Sequence, residues 1–314
     1  MKYVGMHSLI RRNNTLSALL LLGFPAILLG AVYLFFVLLG DTSPFMSVLP
    51  WVLGGVAIWF TIAYFTNTSM IRNAVRATPL ARRDNPRVYN IVENLTMACG
   101  MPMPEVNIVD DPQLNAFASG INEKTYTVTV TTGLLERLND DELAGVIGHE
   151  LTHIRNKDTR LLITSIVFVG IITIVMTVIV RLLWNTFLFG GSNSRRSSNG
   201  KDKGASVVVV MLIALACAAI AYLFTMLTRF AISRKREYMA DAGGAELCGN
   251  PMALASALRK ISDDPGLQNV ERDDIAQMYI IHPQALSGGV KGFFSHLFST
   301  HPDIKKRIQL LEQY

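Results

Sequence analysis

GVIGHELTHIRNKD, residues 145–158, sets two histidines four positions apart with a glutamate beside the first. Ahead of it stand Asn139, Asp140 and Asp141, with Glu142 in the next position, a start signal for a helix. At about 100° per residue, His149 and His153 lie roughly 40° apart and one turn along, so both imidazoles can grip one ion from the same side. Glu150 falls about 60° from His153, within reach of a water at such an ion without being a ligand itself. That is the arrangement of the H-E-x-x-H motif of zinc peptidases. Leu143, Ile147, Leu151 and Ile154 form the adjoining apolar stripe, and Gly145 and Gly148 leave room for another element to come close. The pattern predicts a helix to about Asp158, from which it can continue into the apolar run that begins at Leu161.

Five-residue motifs of this kind also arise by chance, so the test is whether a third ligand exists. Catalytic zinc takes three protein ligands and leaves one position for water. SRKREYMADAGGAEL, residues 233–247, offers Glu237, Asp241 and Glu246 on a predicted helix. Glu237 and Asp241 share a face, so one can bind metal while the other orients a ligating histidine through its second ring nitrogen. The plain alternative is an acidic pair balancing Arg234, Lys235 and Arg236 on a solvated helix. Beside the first motif, Glu237 is the better candidate.

The apolar run after the motif is one of several. Only 17% of the 314 residues are charged, against about a quarter in ordinary soluble proteins. The deficit sits in four charge-free runs: 13–40, 42–71, 161–180 and 205–228. About 20 apolar residues cross a bilayer as a helix, which predicts four transmembrane helices near 16–39, 48–65, 161–183 and 206–227. A cleaved signal peptide is the rival for the first run. The turn at Asp41–Pro44 leads straight into a second apolar run, however, which favours a retained hairpin.

A net charge of +5 raises nucleic acid as a partner, but the basic residues cluster beside the apolar runs. Lys2, Arg11 and Arg12 precede the first; Arg72, Arg76, Arg82 and Arg83 follow the second; Arg229, Arg234, Lys235 and Arg236 follow the fourth. This is the positive-inside pattern. It makes the bilayer the partner, argues against nucleic acid, and puts both termini on the cytoplasmic side of the cell (inner) membrane. Arg181, Arg195, Arg196, Lys201 and Lys203 between the last two runs disagree. Either that loop is outside despite its charge, or the last two helices do not span fully. Cys99, Cys217 and Cys248 share no close spacing, which suits a reducing compartment without a disulfide framework.

These runs divide the chain into a transmembrane hairpin at 1–71, a polar block at 72–160, a second hairpin at 161–228 with its loop at 184–205, and a polar block at 229–314. The simplest reading is one cytoplasmic domain interrupted by the second hairpin. Within it, 85–100 has a helical pattern and 105–109 reads as a short strand. TYTVTVT, 125–131, alternates strictly, so Tyr126, Val128 and Val130 are expected to face the core and the threonines to face outward. A short helix at 133–138, helices at 233–248 and 252–261 and a last one after Pro302 complete the pattern. The fold class is mainly α: a four-helix transmembrane region plus a cytoplasmic α+β zincin-like domain with a small sheet.

HELTH on a helix, then two apolar runs, then EYMADAGGAEL (237–247), resembles the HtpX family of membrane-embedded zinc metalloproteases, relatives of the CAAX prenyl endopeptidases. LNAFASG (114–120), ELTHIRNKD (150–158) and STHPDIKKRI (299–308) resemble further signatures of that family. The resemblance covers essentially the whole chain. It implies His149, His153 and Glu237 as ligands of one zinc ion, Glu150 as general base and Asp241 as the partner of a ligating histidine. It also implies a substrate-side role for Asn115, Ala116 and Phe117, and a place near the scissile carbonyl for His301, helped by Arg307. From the residues alone, His301 and Thr300 before Pro302 fit an ordinary helix start, and Asn115 fits a turn.

The expected activity is endopeptidase cleavage of unfolded or misassembled membrane proteins, with substrate extended beside an edge strand near 114–120. The alternatives are a CAAX-type protease acting on prenylated peptides and a membrane adaptor with a structural zinc site. A structural site wants four ligands, and no cysteine lies beside the motif to supply the fourth.

Overall fold

The two apolar runs at the start of the chain form helices α1 (Met6–Leu38) and α2 (Phe45–Ala74) in a computed structural model. The structure describes residues 6–38, 40–164, 176–178, 180–181, 184, 209, 211–220, 222, 234–263 and 302–314. Among them, α2 is long and apolar enough to cross a membrane, and 25–38 and 211–220 form shorter apolar helices. Most of the expected span at 161–183 and parts of that at 206–227 lie outside the described residues. The chain groups into two units: one of Met1–Ser17, Tyr64–Ile163 and Phe230–Tyr314, the other of Ala18–Ala63 and Thr164–Arg229.

The first unit contains a small mixed sheet of β1 (Thr78–Pro79), β2 (Glu105–Val109), β3 (Ala116–Ser119) and β4 (Thr127–Thr131), in the order β1-β2-β4-β3. β2 and β4 run parallel and the other pairs antiparallel, so β3 is an edge strand. Helix α3 (Pro86–Ala98) starts where Asn85 accepts the Val88 amide, with Pro86 at the first position, where a missing N–H costs nothing. After the short helix α4 (Thr132–Arg137) comes α5 (Asp140–Arg155), and later α6 (Arg234–Cys248), α7 (Pro251–Ser262) and α8 (Ile304–Glu312). Val106, Val128 and Val130 of the sheet, Val88 and Val92 of α3, Leu143, Ile147 and Leu151 of α5, and Leu254 and Leu258 of α7 join in one core. Each large side chain so buried contributes about 1.5–3 kcal/mol.

Two expectations are corrected here. The threonines of β4 do not face outward: Thr127, Thr129 and Thr131 are all buried. Two of the hydroxyls have protein partners, Thr127 on Ser119 at 2.6 Å and Thr131 on the Gln113 carbonyl at 2.6 Å, which is how polar groups survive burial. The helix carrying the two histidines also ends earlier than expected, at Arg155. Lys157 takes a left-handed conformation, φ 59°, and a new helical stretch begins at Asp158.

Glu142 ties the start of α5 to α7. Asn139 accepts the Glu142 amide and Glu142 accepts the Asn139 amide, each at 2.9 Å, a capping box. The same carboxylate accepts from Ser256 Oγ and from Lys260 Nζ, both at 2.7 Å. Burial alone would raise this carboxyl, but the Lys260 and Ser256 hydrogen bonds and the Asn139 amide outweigh it and hold it below the usual glutamate range. A carboxyl lowered in the folded state stabilises the protein at neutral pH and loses that contribution as pH falls through its folded pKa. Glu142→Gln is therefore expected to lower stability by about 1–2 kcal/mol at neutral pH, with the gap from wild type closing in acid. Thermal unfolding of both proteins across pH checks this, and a gap that persists in acid would assign the effect to shape instead of charge.

Candidate metal centre

α5 and α6 approach so closely that side chains between them would not fit. A Cβ on Gly244 would lie 2.6 Å from the His149 amide nitrogen, and one on Gly148 would lie 3.0 Å from the Gly244 carbonyl oxygen. This close packing brings Glu237 and Asp241 of α6 against His149 and His153 of α5. The two Nε2 atoms are 3.2 Å apart, and Glu237 places one oxygen 3.7 Å from His149 Nε2 and the other 3.7 Å from His153 Nε2. Each ring turns its Nδ1 to a different carboxylate: His149 to Asp241 Oδ1 at 3.0 Å, His153 to Asp158 Oδ2 at 2.9 Å.

A neutral imidazole has one N–H. With that hydrogen directed at the carboxylate, both Nε2 atoms present lone pairs to each other and to a carboxylate oxygen. Without a metal, a proton shared between the two Nε2 atoms bridges their 3.2 Å approach, and a metal ion would take that proton's place. The spacing fits one as well, since donors about 2.0–2.1 Å from a tetrahedral zinc stand roughly 3.3–3.4 Å from each other. His149, His153 and Glu237 form a group that could hold a metal ion.

The charges around the group are arranged in layers. Arg307 of α8 is buried and grips Asp241 with two bonds, Nε at 2.8 Å and Nη2 at 2.7 Å, while Nη1 stands 3.5 Å from Glu237. Burial would raise Asp241, but the Arg307 guanidinium and then His149 hold it down to about 2. Burial lowers His149. Burial also acts to lower His153, yet the Asp158 hydrogen bond and the charges of Glu237, Asp158 and Glu150 push it up to about 9. A cation among these donors would reverse that preference. Glu150 is pushed up to about 7 by burial, and its Oε2 accepts the Ala118 amide of β3 at 2.7 Å.

His149, Glu150, His153, Glu237 and Asp241 thus come together in one cluster, buried apart from the partly exposed His153. Asn115, Ala116 and Phe117 lie at and along the start of β3 and are buried. Arg307 is 1% exposed and turned toward Asp241, the charge partner that a buried guanidinium requires. His301 lies outside the described residues. Asp158 and the Ala118 amide were missed. The i, i+4 logic that nominated Asp241 does not reach a residue five positions after His153.

A model of peptidase family M48 matches residues 82–314. A protease HtpX homolog of Bacteroides fragilis is 50% identical, with 100% of both chains covered. One from Lactobacillus acidophilus is 36% identical, covering 98% of this chain and 99% of its own. The crystal structure of S. mikatae Ste24p overlaps at a TM-score of 0.45 with 18% identity, covering 96% of this chain and 66% of that one. With a family match over most of its length and relatives at this identity along the whole of it, the chain belongs to peptidase family M48.

Proposed function

We propose that the chain is a membrane-bound, zinc-dependent endopeptidase that cleaves misfolded or damaged membrane proteins at the cytoplasmic membrane surface. The observation that carries this reading is the convergence of the His149 and His153 Nε2 atoms and the Glu237 carboxylate beside Glu150 and an edge strand. Zinc, when bound, supplies a Lewis acid for the scissile carbonyl and lowers the pKa of a water from 15.7 to roughly 7. His149, His153 and Glu237 would hold it, with Asp241 keeping the His149 ring in place. Glu150 takes a proton from the attacking water and passes it to the leaving amine.

β3 is the natural place for substrate. The Thr131 amide donates to the Asn115 carbonyl at 3.0 Å, so by antiparallel alternation Asn115, Phe117 and Ser119 direct their main-chain groups at β4. Ala116 and Ala118 then direct theirs away from β4, the side on which Glu150 meets the Ala118 amide. An extended peptide added on that side would be bound through its backbone with little demand on side chains, which suits unfolded segments of varied sequence. His301, carried here by the family resemblance, would be an oxyanion donor.

The membrane reading rests on α2. Trp51, Ile58, Ile62 and Phe65 are exposed along it, so it is not a buried core helix, and lipid is the partner such a surface fits. The proposed topology retains four spans, near 16–39, 48–65, 161–183 and 206–227, with 72–160 and 229–314 forming one catalytic domain in the cytoplasm.

The test is metal removal. Full-length protein in detergent should cleave casein, lose that activity to 1,10-phenanthroline and regain it with zinc, at one zinc per chain. Glu237→Ala should lower zinc occupancy. Zinc retained without any cleavage would favour the adaptor reading and overturn this one.

A further inference from the structure

We propose that Asp158 is a positioning residue of the metal centre: it fixes the tautomer and direction of the His153 ring, and the left-handed turn at Lys157 is what delivers it. The inference deepens the peptidase reading above and rests on it. In an unbroken helix a residue five places after His153 lies about 140° around the axis and roughly 7.5 Å along it, out of reach of the ring. α5 instead ends at Arg155. The Asn156 amide still donates to Thr152 O and the Lys157 amide to Ile154 O, both at 2.9 Å, and Lys157 then turns at φ 59°. The chain folds back, and Asp158 Oδ2 arrives 2.9 Å from His153 Nδ1.

A lysine in this conformation carries a steric cost that glycine would not. Such outliers persist where the surroundings over-determine them, often at functional sites. The surroundings here are specific. Asp158 is 4% exposed, and its carbonyl accepts from Arg236 Nη1 at 3.4 Å, the residue before Glu237. Asp158 is therefore held from α6 while its carboxylate holds a histidine of α5. His149 Nδ1 lies 3.0 Å from Asp241 Oδ1. With Nδ1–H committed to Asp158, the His153 Nε2 lone pair points at His149 Nε2 and Glu237, as a metal ligand requires.

The plain alternative is an acidic residue that merely favours the first turn of the helical stretch beginning at Asp158. The two are separated by zinc affinity, measured by chelator competition on full-length protein in detergent, and by the visible spectrum of the cobalt(II) form. Asp158→Ala should weaken zinc binding about 10- to 100-fold and shift the cobalt bands. Asp158→Asn should weaken it less, since the amide oxygen still accepts from Nδ1–H without the charge. Lys157→Gly should retain wild-type affinity, because glycine adopts the turn freely, whereas Lys157→Val should weaken it without altering any ligand. Folded Asp158→Ala protein with wild-type affinity and spectrum would overturn the proposal. If that variant does not fold, unchanged affinity in Asp158→Asn and Lys157→Val overturns it equally. A wild type that binds no zinc would instead sink the peptidase reading itself.

Discussion

Glu150→Gln is expected to lower peptide cleavage by a factor on the order of 10² to 10⁴ while leaving zinc content at the wild-type level. Glu150 is on the ligand helix but not among the converging donors, which are His149, His153 and Glu237. Its carboxylate instead accepts the Ala118 amide at 2.7 Å. Glutamine has the same shape and keeps an oxygen for that amide, so α5 and β3 stay in register. What glutamine cannot do is accept a proton from water. The loss corresponds to about 3–5 kcal/mol of transition-state stabilisation, more than removing one ordinary hydrogen bond would cause. Casein cleavage in detergent and metal analysis of the same samples check both halves. Undiminished cleavage would overturn the assigned role of Glu150, and loss of zinc would mean that the residue belongs to the metal's own ligands.

The parts of the site legible in the sequence are those local to one helix. His149 with His153, and Glu237 with Asp241, are each i, i+4 pairs, and a helix converts that spacing directly into a shared face. That another helix comes close was half legible in Gly145 and Gly148, but the sequence did not say which: Gly148 meets Gly244 of α6, and Gly145 meets Leu254 of α7. Asp158 was not legible, because its position depends on one residue taking a conformation that nothing about lysine announces. Arg307 is a long-range case: α8 lies far along the chain from α5, and only the packed structure shows that its guanidinium is enclosed with Asp241.

The sheet teaches the same lesson. Strict alternation located β4 and assigned Val128 and Val130 correctly to the core. It misassigned the threonines, because a period of two distinguishes two faces without saying that one of them is wet. β1, with two residues, carries too little pattern to be read at all. Absence of charge marked α2, and α2 runs past its apolar stretch to Ala74, since helix geometry continues after hydropathy stops.

The close approach of α5 and α6 leads to the other large effect. Gly244→Ala should lower both stability and zinc affinity, although alanine is the better helix former by about 1 kcal/mol. The added Cβ would stand 2.6 Å from the His149 nitrogen, 2.8 Å from its Cα and 3.1 Å from the Gly148 carbonyl carbon. All three are backbone atoms, so no rotamer change can relieve the contact. The helices must move apart, and overpacking of this kind costs typically 1–3 kcal/mol or more, which outweighs the propensity gain. Separation also acts where the structure has least tolerance: Glu237 and Asp241 are carried away from His149, so the donors lose their convergence and zinc affinity falls by at least 10-fold. Gly145→Ala is the comparison, because its Cβ would meet Leu254 of α7 at 3.0 Å, an element that holds none of the donors. It should lose stability and retain its zinc. Thermal unfolding and chelator competition on both variants decide the matter. A Gly244→Ala protein as stable and as avid for zinc as wild type would show that the two helices do not set the geometry of the centre.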